Sequence, residues 1–137
     1  MRNTVHIFLA DDDLDDQVLM KEAFSEVSDE ISFEFFENGR VLIDRINAGV
    51  FDVYPDLIVL DYNMPLMNGL DALMALQQFP SWNDVPKIIW STSRAEKMVA
   101  DCLANGAAAY YLKPNDFAEY CRIAGDMLSM AVANKVK

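Results

Sequence analysis

Residues 56–69 read Asp56-Leu57-Ile58-Val59-Leu60-Asp61-Tyr62-Asn63-Met64-Pro65-Leu66-Met67-Asn68-Gly69, and their order decides the fold. Leu57 to Leu60 form a short, unbroken apolar run, as expected of a strand buried on both faces of a parallel sheet. Asp61 ends that run. A turn through Asn63-Met64-Pro65 and Asn68-Gly69 follows, and helical spacing begins at about residue 69 and lasts to about 79. A doubly buried strand that runs into a turn and then a helix is half of a parallel crossover unit.

The same alternation extends in both directions. Toward the N-terminus, residues 5–10 are a second apolar strand, and residues 13–27 place Leu19, Met20, Ala23, Phe24 and Val27 at helical spacing. Residues 31–36 alternate apolar with polar and belong at a sheet edge, and residues 40–49 form a short helix ended by Gly49. Toward the C-terminus, residues 80–83 read as a loop and residues 87–90 as a strand. A helix over 94–104 stops at Asn105-Gly106, a strand covers 109–112, and a last helix covers 116–132. Five strand–helix repeats predict an α/β fold, a doubly wound five-stranded parallel sheet in the order 2-1-3-4-5. No linker or low-complexity tract interrupts them. The expectation is one domain over 1–137 with its core at about 4–132, a tail at 133–137 and no output domain.

Composition narrows the function. A net charge of −11 excludes a nucleic-acid surface, which needs clustered Lys and Arg, and favours cations and basic partner patches. Two cysteines, Cys102 and Cys121, in helical segments make no disulfide framework. The apolar stretch after Met1-Arg2-Asn3-Thr4 is too short for a signal peptide or a membrane span, so a cytoplasmic protein without membrane contact is expected.

The chemistry-bearing residues stand where strands give way to loops: Asp11 and Asp12, Asp61, Ser91 and Lys113. An open parallel α/β sheet gathers the carboxyl ends of its strands at the ligand crevice. Three carboxylates, a hydroxyl and an ammonium at one place are what a Mg²⁺-dependent phosphoryl acceptor requires. Each position alone also has an ordinary account. Asp11, Asp12 and especially Asp13 suit a helix N-terminus; Asp15 and Asp16 read as solvated first-turn residues; Asp61 and Ser91 suit strand-end caps; Lys113 suits an exposed surface. Close carboxylates nevertheless repel unless a cation compensates, and Mg²⁺ takes a few carboxylates plus water. The acidic run lacks the glycine and alternating spacing of an EF-hand loop. His6, in a buried strand, reads as core.

Joint occurrence makes the pattern specific. The segments Phe8-Leu9-Ala10-Asp11-Asp12-Asp13, 56–69 as quoted, Ile89-Trp90-Ser91-Thr92-Ser93 and Tyr110-Tyr111-Leu112-Lys113-Pro114 together resemble the receiver domain of two-component response regulators, the CheY-like family, over essentially the whole chain. The resemblance implies phosphorylation of Asp61 by a sensor histidine kinase or phosphotransfer protein. It implies Mg²⁺ held by Asp11 or Asp12, Asp61 and the Asn63 carbonyl, and a cis Lys113–Pro114 bond. It also implies a switch in which Ser91 swings toward the phosphoryl group and Tyr110 moves with it. The switch would alter a protein-docking surface on helix 94–104, strand 109–112 and helix 116–132; homodimerisation on phosphorylation stays open. Asn63 and Ser93 flank the site and are expected to tune the lifetime of the phosphoryl group.

Departures from the family pattern are mild: Ser91 stands where members often carry Thr, and Trp90 is bulky for a core strand. The longer stretch at 80–85 suggests a single-domain branch. Three other readings compete. A haloacid-dehalogenase phosphatase needs an acid two residues after its nucleophile, and here that residue is Asn63. A flavodoxin-like FMN carrier needs a Ser/Thr/Gly-rich phosphate loop in place of the acidic run. A phosphorylation-independent docking module would have lost part of the acidic, Asp or Lys set, all of which is retained here.

Overall fold

The computed structural model describes residues 4–49, 51 and 53–135. The sequence readings of Met1 to Asn3, and of the tail's last residues Val136 and Lys137, lie outside them. Five parallel strands run in the order β2-β1-β3-β4-β5. They are β1 (Val5–Ala10), β2 (Ile31–Phe36), β3 (Leu57–Asp61), β4 (Lys87–Ser91) and β5 (Ala109–Leu112). The helices are α1 (Leu14–Val27), α2 (Gly39–Ala48), α3 (Gly69–Leu76), α4 (Glu96–Ala104) and α5 (Phe117–Lys135). This is the doubly wound order expected from the alternation of strand and helix patterns.

Side-chain alternation along the strands divides the core in two. Phe8, Ala10, Ile58, Leu60 and Ile89 face a layer formed with α2 and α3, through Leu42, Ile46, Leu73 and Leu76. Ile7, Leu9, Leu57, Val59, Ile88 and Trp90 face the other layer, formed by Met20 and Phe24 of α1 and by Ile123, Ala124 and Met127 of α5. Successive residues point to opposite faces, so the three central strands are buried on both sides. At the edge, β2 keeps Ser32 exposed while Phe36 is buried.

Local chemistry sets the helix ends. Asp13 caps α1 by accepting from the amides of Asp15 and Asp16. Asn68 and Asp71 form a reciprocal capping box at the start of α3. Gly49 ends α2 at φ 74°, a left-handed conformation that costs glycine nothing.

Several sequence boundaries are corrected. The last helix continues through Ala133 to Lys135 because nothing after 132 breaks the helix. The stretch read as a loop at 80–83 contains a 3-10 turn at Pro80–Trp82, which buries Trp82 against Phe8 and Phe51. Lys87 is buried, and its ammonium donates to the Trp82 carbonyl, securing that turn to β4. The described helices include none long and apolar enough to cross a membrane.

Candidate functional site

The carboxyl ends of β1, β3, β4 and β5 converge on an open crevice of about 570 Å³. Asp11 directly follows β1 and is fully buried, Asp61 is the last residue of β3 and 3% exposed, and Ser91 is the last residue of β4 and fully buried. Lys113 directly follows β5. Asp12, Asp13, Asn63 and Thr92 complete much of the rim. The sheet thus brings together the acidic pair, Asp61, Asn63 and Lys113, and sets Ser91 in the wall behind them.

Lys113 is the hub. Its ammonium stands 3.3 Å from Asp61 Oδ2 and 3.3 Å from Asp11 Oδ2. The resemblance implies a cis bond between Lys113 and Pro114. No cis peptide occurs among the described residues, so the Lys113–Pro114 bond is trans. The lysine is aimed instead by its own backbone, since its N–H donates to the Ser91 carbonyl at 2.7 Å and continues the β4–β5 ladder. The indole of Trp90 supports the ammonium from one side, with Nζ 4.9 Å from the ring centroid.

The turn after β3 is equally fixed. The Asn63 amide donates to Asp61 Oδ1 at 3.3 Å, and the Gly69 amide donates to the Tyr62 carbonyl at 2.9 Å. On the opposite side, Asp11 Oδ1 accepts from the Asp13 amide at 2.9 Å, and the Gln17 side chain donates to the Asp11 carbonyl at 2.7 Å. Each carboxylate is held by amides of the loop that follows its strand.

Ser91 and Tyr110 are linked through Ser93. The Ser93 amide donates to Ser91 Oγ at 3.1 Å, and the Tyr110 hydroxyl donates to the Ser93 carbonyl at 2.6 Å. The serine, the loop and the tyrosine therefore form one hydrogen-bonded chain from the crevice to β5.

Asp16 is the residue that reading the sequence as a solvated first turn missed. Its Oδ2 lies 2.7 Å from Lys113 Nζ, and its Oδ1 accepts from the Tyr120 hydroxyl at 3.4 Å. Helical periodicity supplies the only sequence signal: Asp16 and Met20 are four apart and share a face, and Met20 is core. Asp15, beside it, is exposed as expected.

A family model, that of the response regulator receiver domain, matches residues 7–124. The chain belongs to this family. Among similar proteins, the two-component response regulator ARR3 of Arabidopsis thaliana is 28% identical over 131 residues, 87% of this chain and 54% of its own. ARR9 of the same plant is 30% identical over 66% of this chain and 38% of its own, so the receiver spans about half or less of these relatives. Among solved structures, the Mn²⁺-bound form of the response regulator Rcp1 superposes with a TM-score of 0.79 at 20% identity, covering 91% of this chain and 92% of that one. The phosphorylated cyanobacterial phytochrome response regulator RcpA gives 0.82 at 21% identity, covering 94% of each. These two likenesses establish the same fold.

The receiver's crevice is electrostatically unbalanced. Burial, then the neighbouring charge of Asp61, pushes the Asp11 carboxyl up to about 7; the Asp13 amide and Lys113 only partly oppose this, and Asp16 adds to the rise. Burial also raises Asp61, while Lys113 and the Asn63 amide pull it back. Burial works against the Lys113 charge, but its bond to Asp16 and the charges of Asp11, Asp61 and Asp16 outweigh it and raise its pKa. Asp11, Asp12 and Asp61 each offer one oxygen, all within 4.8 Å of one another. One ammonium among so many carboxylates leaves a site of hard oxygen donors in need of a further cation, and that donor set fits Mg²⁺.

Proposed function

We propose that this chain is a receiver that accepts a phosphoryl group on Asp61 from a phosphohistidine of a sensor kinase or phosphotransfer protein. The observation that carries the reading is the pairing of a buried strand-end carboxylate, Asp61, with an ammonium at 3.3 Å beside two further carboxylates. Asp11, Asp12, Asp61 and the Asn63 carbonyl would hold Mg²⁺, and when bound the ion neutralises the negative charge of the acceptor and of the incoming phosphoryl oxygens. Rcp1 has been solved with Mn²⁺ and RcpA in a phosphorylated form, and both facts favour the same assignment here.

In the transfer, an Asp61 Oδ forms a bond to phosphorus while the phosphorus–nitrogen bond of the phosphohistidine breaks, its electron pair returning to the imidazole nitrogen. Lys113 favours the ionised form of Asp61 against the effect of burial and then pairs with a phosphoryl oxygen. The Asn63 amide holds the acceptor in line through Asp61 Oδ1, so the chain contributes positioning and charge neutralisation in place of an acid–base pair. Ser91 turns its hydroxyl to the phosphoryl group and releases the Ser93 amide. The Tyr110–Ser93 bond is then remade, and α4, β5 and α5 change as a docking surface for a downstream protein. Asn63 and Ser93, on the two loops beside the acceptor, set the lifetime of the acyl phosphate. The domain is a signalling element of the cytoplasm rather than an enzyme with a separate substrate.

Intact-mass analysis after acetyl phosphate treatment tests this. Wild type is expected to gain one phosphoryl group only when Mg²⁺ is present, and Asp61→Asn to gain none. An equal adduct on Asp61→Asn would overturn it. Partner binding unaffected by phosphorylation would favour the docking-module alternative.

A further inference from the structure

Lys113 is closer to Asp16 than to the proposed acceptor. The ammonium lies 2.7 Å from Asp16, against 3.3 Å from Asp61 and 3.3 Å from Asp11. Asp16 is not loosely placed. The Asp13 side chain caps the first turn of α1 through the amides of Asp15 and Asp16, which fixes the direction of that turn. The Tyr120 hydroxyl donates a long hydrogen bond, 3.4 Å, to the Asp16 carboxylate from α5, and Tyr120 itself is only 5% exposed. Trp90 closes the arrangement: its ring lies 4.9 Å from the ammonium and edge-on to Tyr120 at 5.8 Å between centroids. Its buried Nε1–H has no acceptor among the described residues. The indole therefore acts through its faces and edges, as a wall for Lys113 and Tyr120.

We propose that Asp16 is a positioning residue which holds Lys113 on the α1 side of the crevice and so restrains phosphorylation. The inference rests on Asp61 being the phosphoryl acceptor. To pair with a phosphoryl oxygen beyond Asp61, Lys113 shares or gives up its shortest ion pair. Asp16 also places a further negative charge near the arriving anion. Both effects weaken the phosphorylated state relative to the free one, and a ligand shifts an equilibrium only by its differential interaction with the two states. When Lys113 leaves, the Asp16–Tyr120 contact is the part of the site joined directly to α5, so the restraint is built across the α1–α5 layer rather than along β4 and β5.

Calorimetric titration of the Mg²⁺-loaded protein with beryllofluoride, a phosphoryl mimic, measures the effect, with ¹⁹F resonances reporting the bound mimic. Asp16→Asn is expected to bind it about fivefold more tightly, the fold-change of one partly exposed ion pair, with no gain in Mg²⁺ affinity. Tyr120→Phe, which changes no charge and only loosens Asp16, is expected to shift binding the same way by about twofold, and it carries the test should Asp16→Asn fold poorly. Asp15→Asn removes an equal charge from a neighbouring, exposed side chain that lines the same crevice but makes no ion pair with Lys113, and is expected to change binding far less than Asp16→Asn. Unchanged or weaker binding by both Asp16→Asn and Tyr120→Phe would overturn the inference while leaving the acceptor reading intact. An equal gain in Asp15→Asn would reduce the effect to bulk charge and overturn it as well. A wild type that binds no beryllofluoride would instead remove the acceptor reading, and this inference with it.

Discussion

Asp11 is fully buried among charges of both signs: Asp61 from β3, Lys113 from the end of β5 and Asp16 from α1, with the Asp13 amide on its own loop. Its carboxyl titrates at about 7 in the folded chain, against an ordinary 3.8. Between those values the folded chain keeps a proton that the unfolded chain has released. Stability is therefore fullest on the acid side of that window and is lost as pH rises through about 7, by at most about 1.4 kcal/mol per pH unit for one proton. Asp61, raised in the same direction, adds to the trend. Thermal unfolding of the metal-free protein should show a falling midpoint from about pH 5 to about pH 8, and Asp11→Asn should flatten it. Because the same proton must leave before a cation binds, Mg²⁺ affinity should rise over that range and level off above it. A flat affinity profile would remove Asp11 from the cation site. At this scale the sequence disclosed the residue types well. Asp11, Asp12, Asp61 and Lys113 were legible because each breaks an apolar run, whereas Asp16 was hidden among exposed first-turn acids and became visible only once α5 supplied Tyr120.

Elements place these residues, and the turn from β3 to α3 does so most tightly. A Cβ added at Gly69 would lie 2.9 Å from the Asp61 carbonyl oxygen and 3.0 Å from Tyr62 Cα, both backbone atoms that cannot swing aside. Gly69→Ala should therefore move the backbone of Asp61, the proposed acceptor. We expect a loss of about 1–3 kcal/mol in denaturant unfolding and weakened Mg²⁺ binding measured in the same preparation. Asn68→Ala, which breaks only the capping box of α3, should cost about 1 kcal/mol and leave Mg²⁺ binding nearly unchanged. The contrast separates a steric from a helix-capping role for adjacent residues. Strands were legible in the sequence because doubly buried parallel strands are continuous apolar runs. Helix ends were less so. The last helix runs on to Lys135 because no glycine or proline interrupts 133–135, and the 80–83 segment hides its buried anchor, Trp82, behind loop-like neighbours.

Across the whole molecule, the proposed phosphorylation at one end of the sheet would be relayed to β5, and from there to the neighbouring helices, by a short hydrogen-bonded chain. Ser91 Oγ accepts from the Ser93 amide, and the Ser93 carbonyl accepts from Tyr110. With beryllofluoride and Mg²⁺ bound, amide exchange should change in α4 and β5, and Ser91→Ala should bind the mimic yet lose most of that change. Equal responses in wild type and Ser91→Ala would place the switch elsewhere. The doubly wound order was readable from five strand–helix repeats. The aim of Lys113 was not: the resemblance implied a cis bond to Pro114, while the folded chain reaches the same crevice through a trans bond and the β4–β5 ladder. Long-range pairing of that kind is absent from local sequence and belongs to the assembled sheet.

The central claim is that Asp61 is the phosphorylated residue, and chemical trapping tests it most directly. Protein phosphorylated in the presence of Mg²⁺ is reduced with borohydride, which converts an aspartyl phosphate to homoserine, and is then mapped by peptide mass spectrometry. Homoserine at position 61 and at no other aspartate is the predicted result. Reduction at a different aspartate, or a phosphoryl group that survives borohydride on a serine or on His6, would contradict the account.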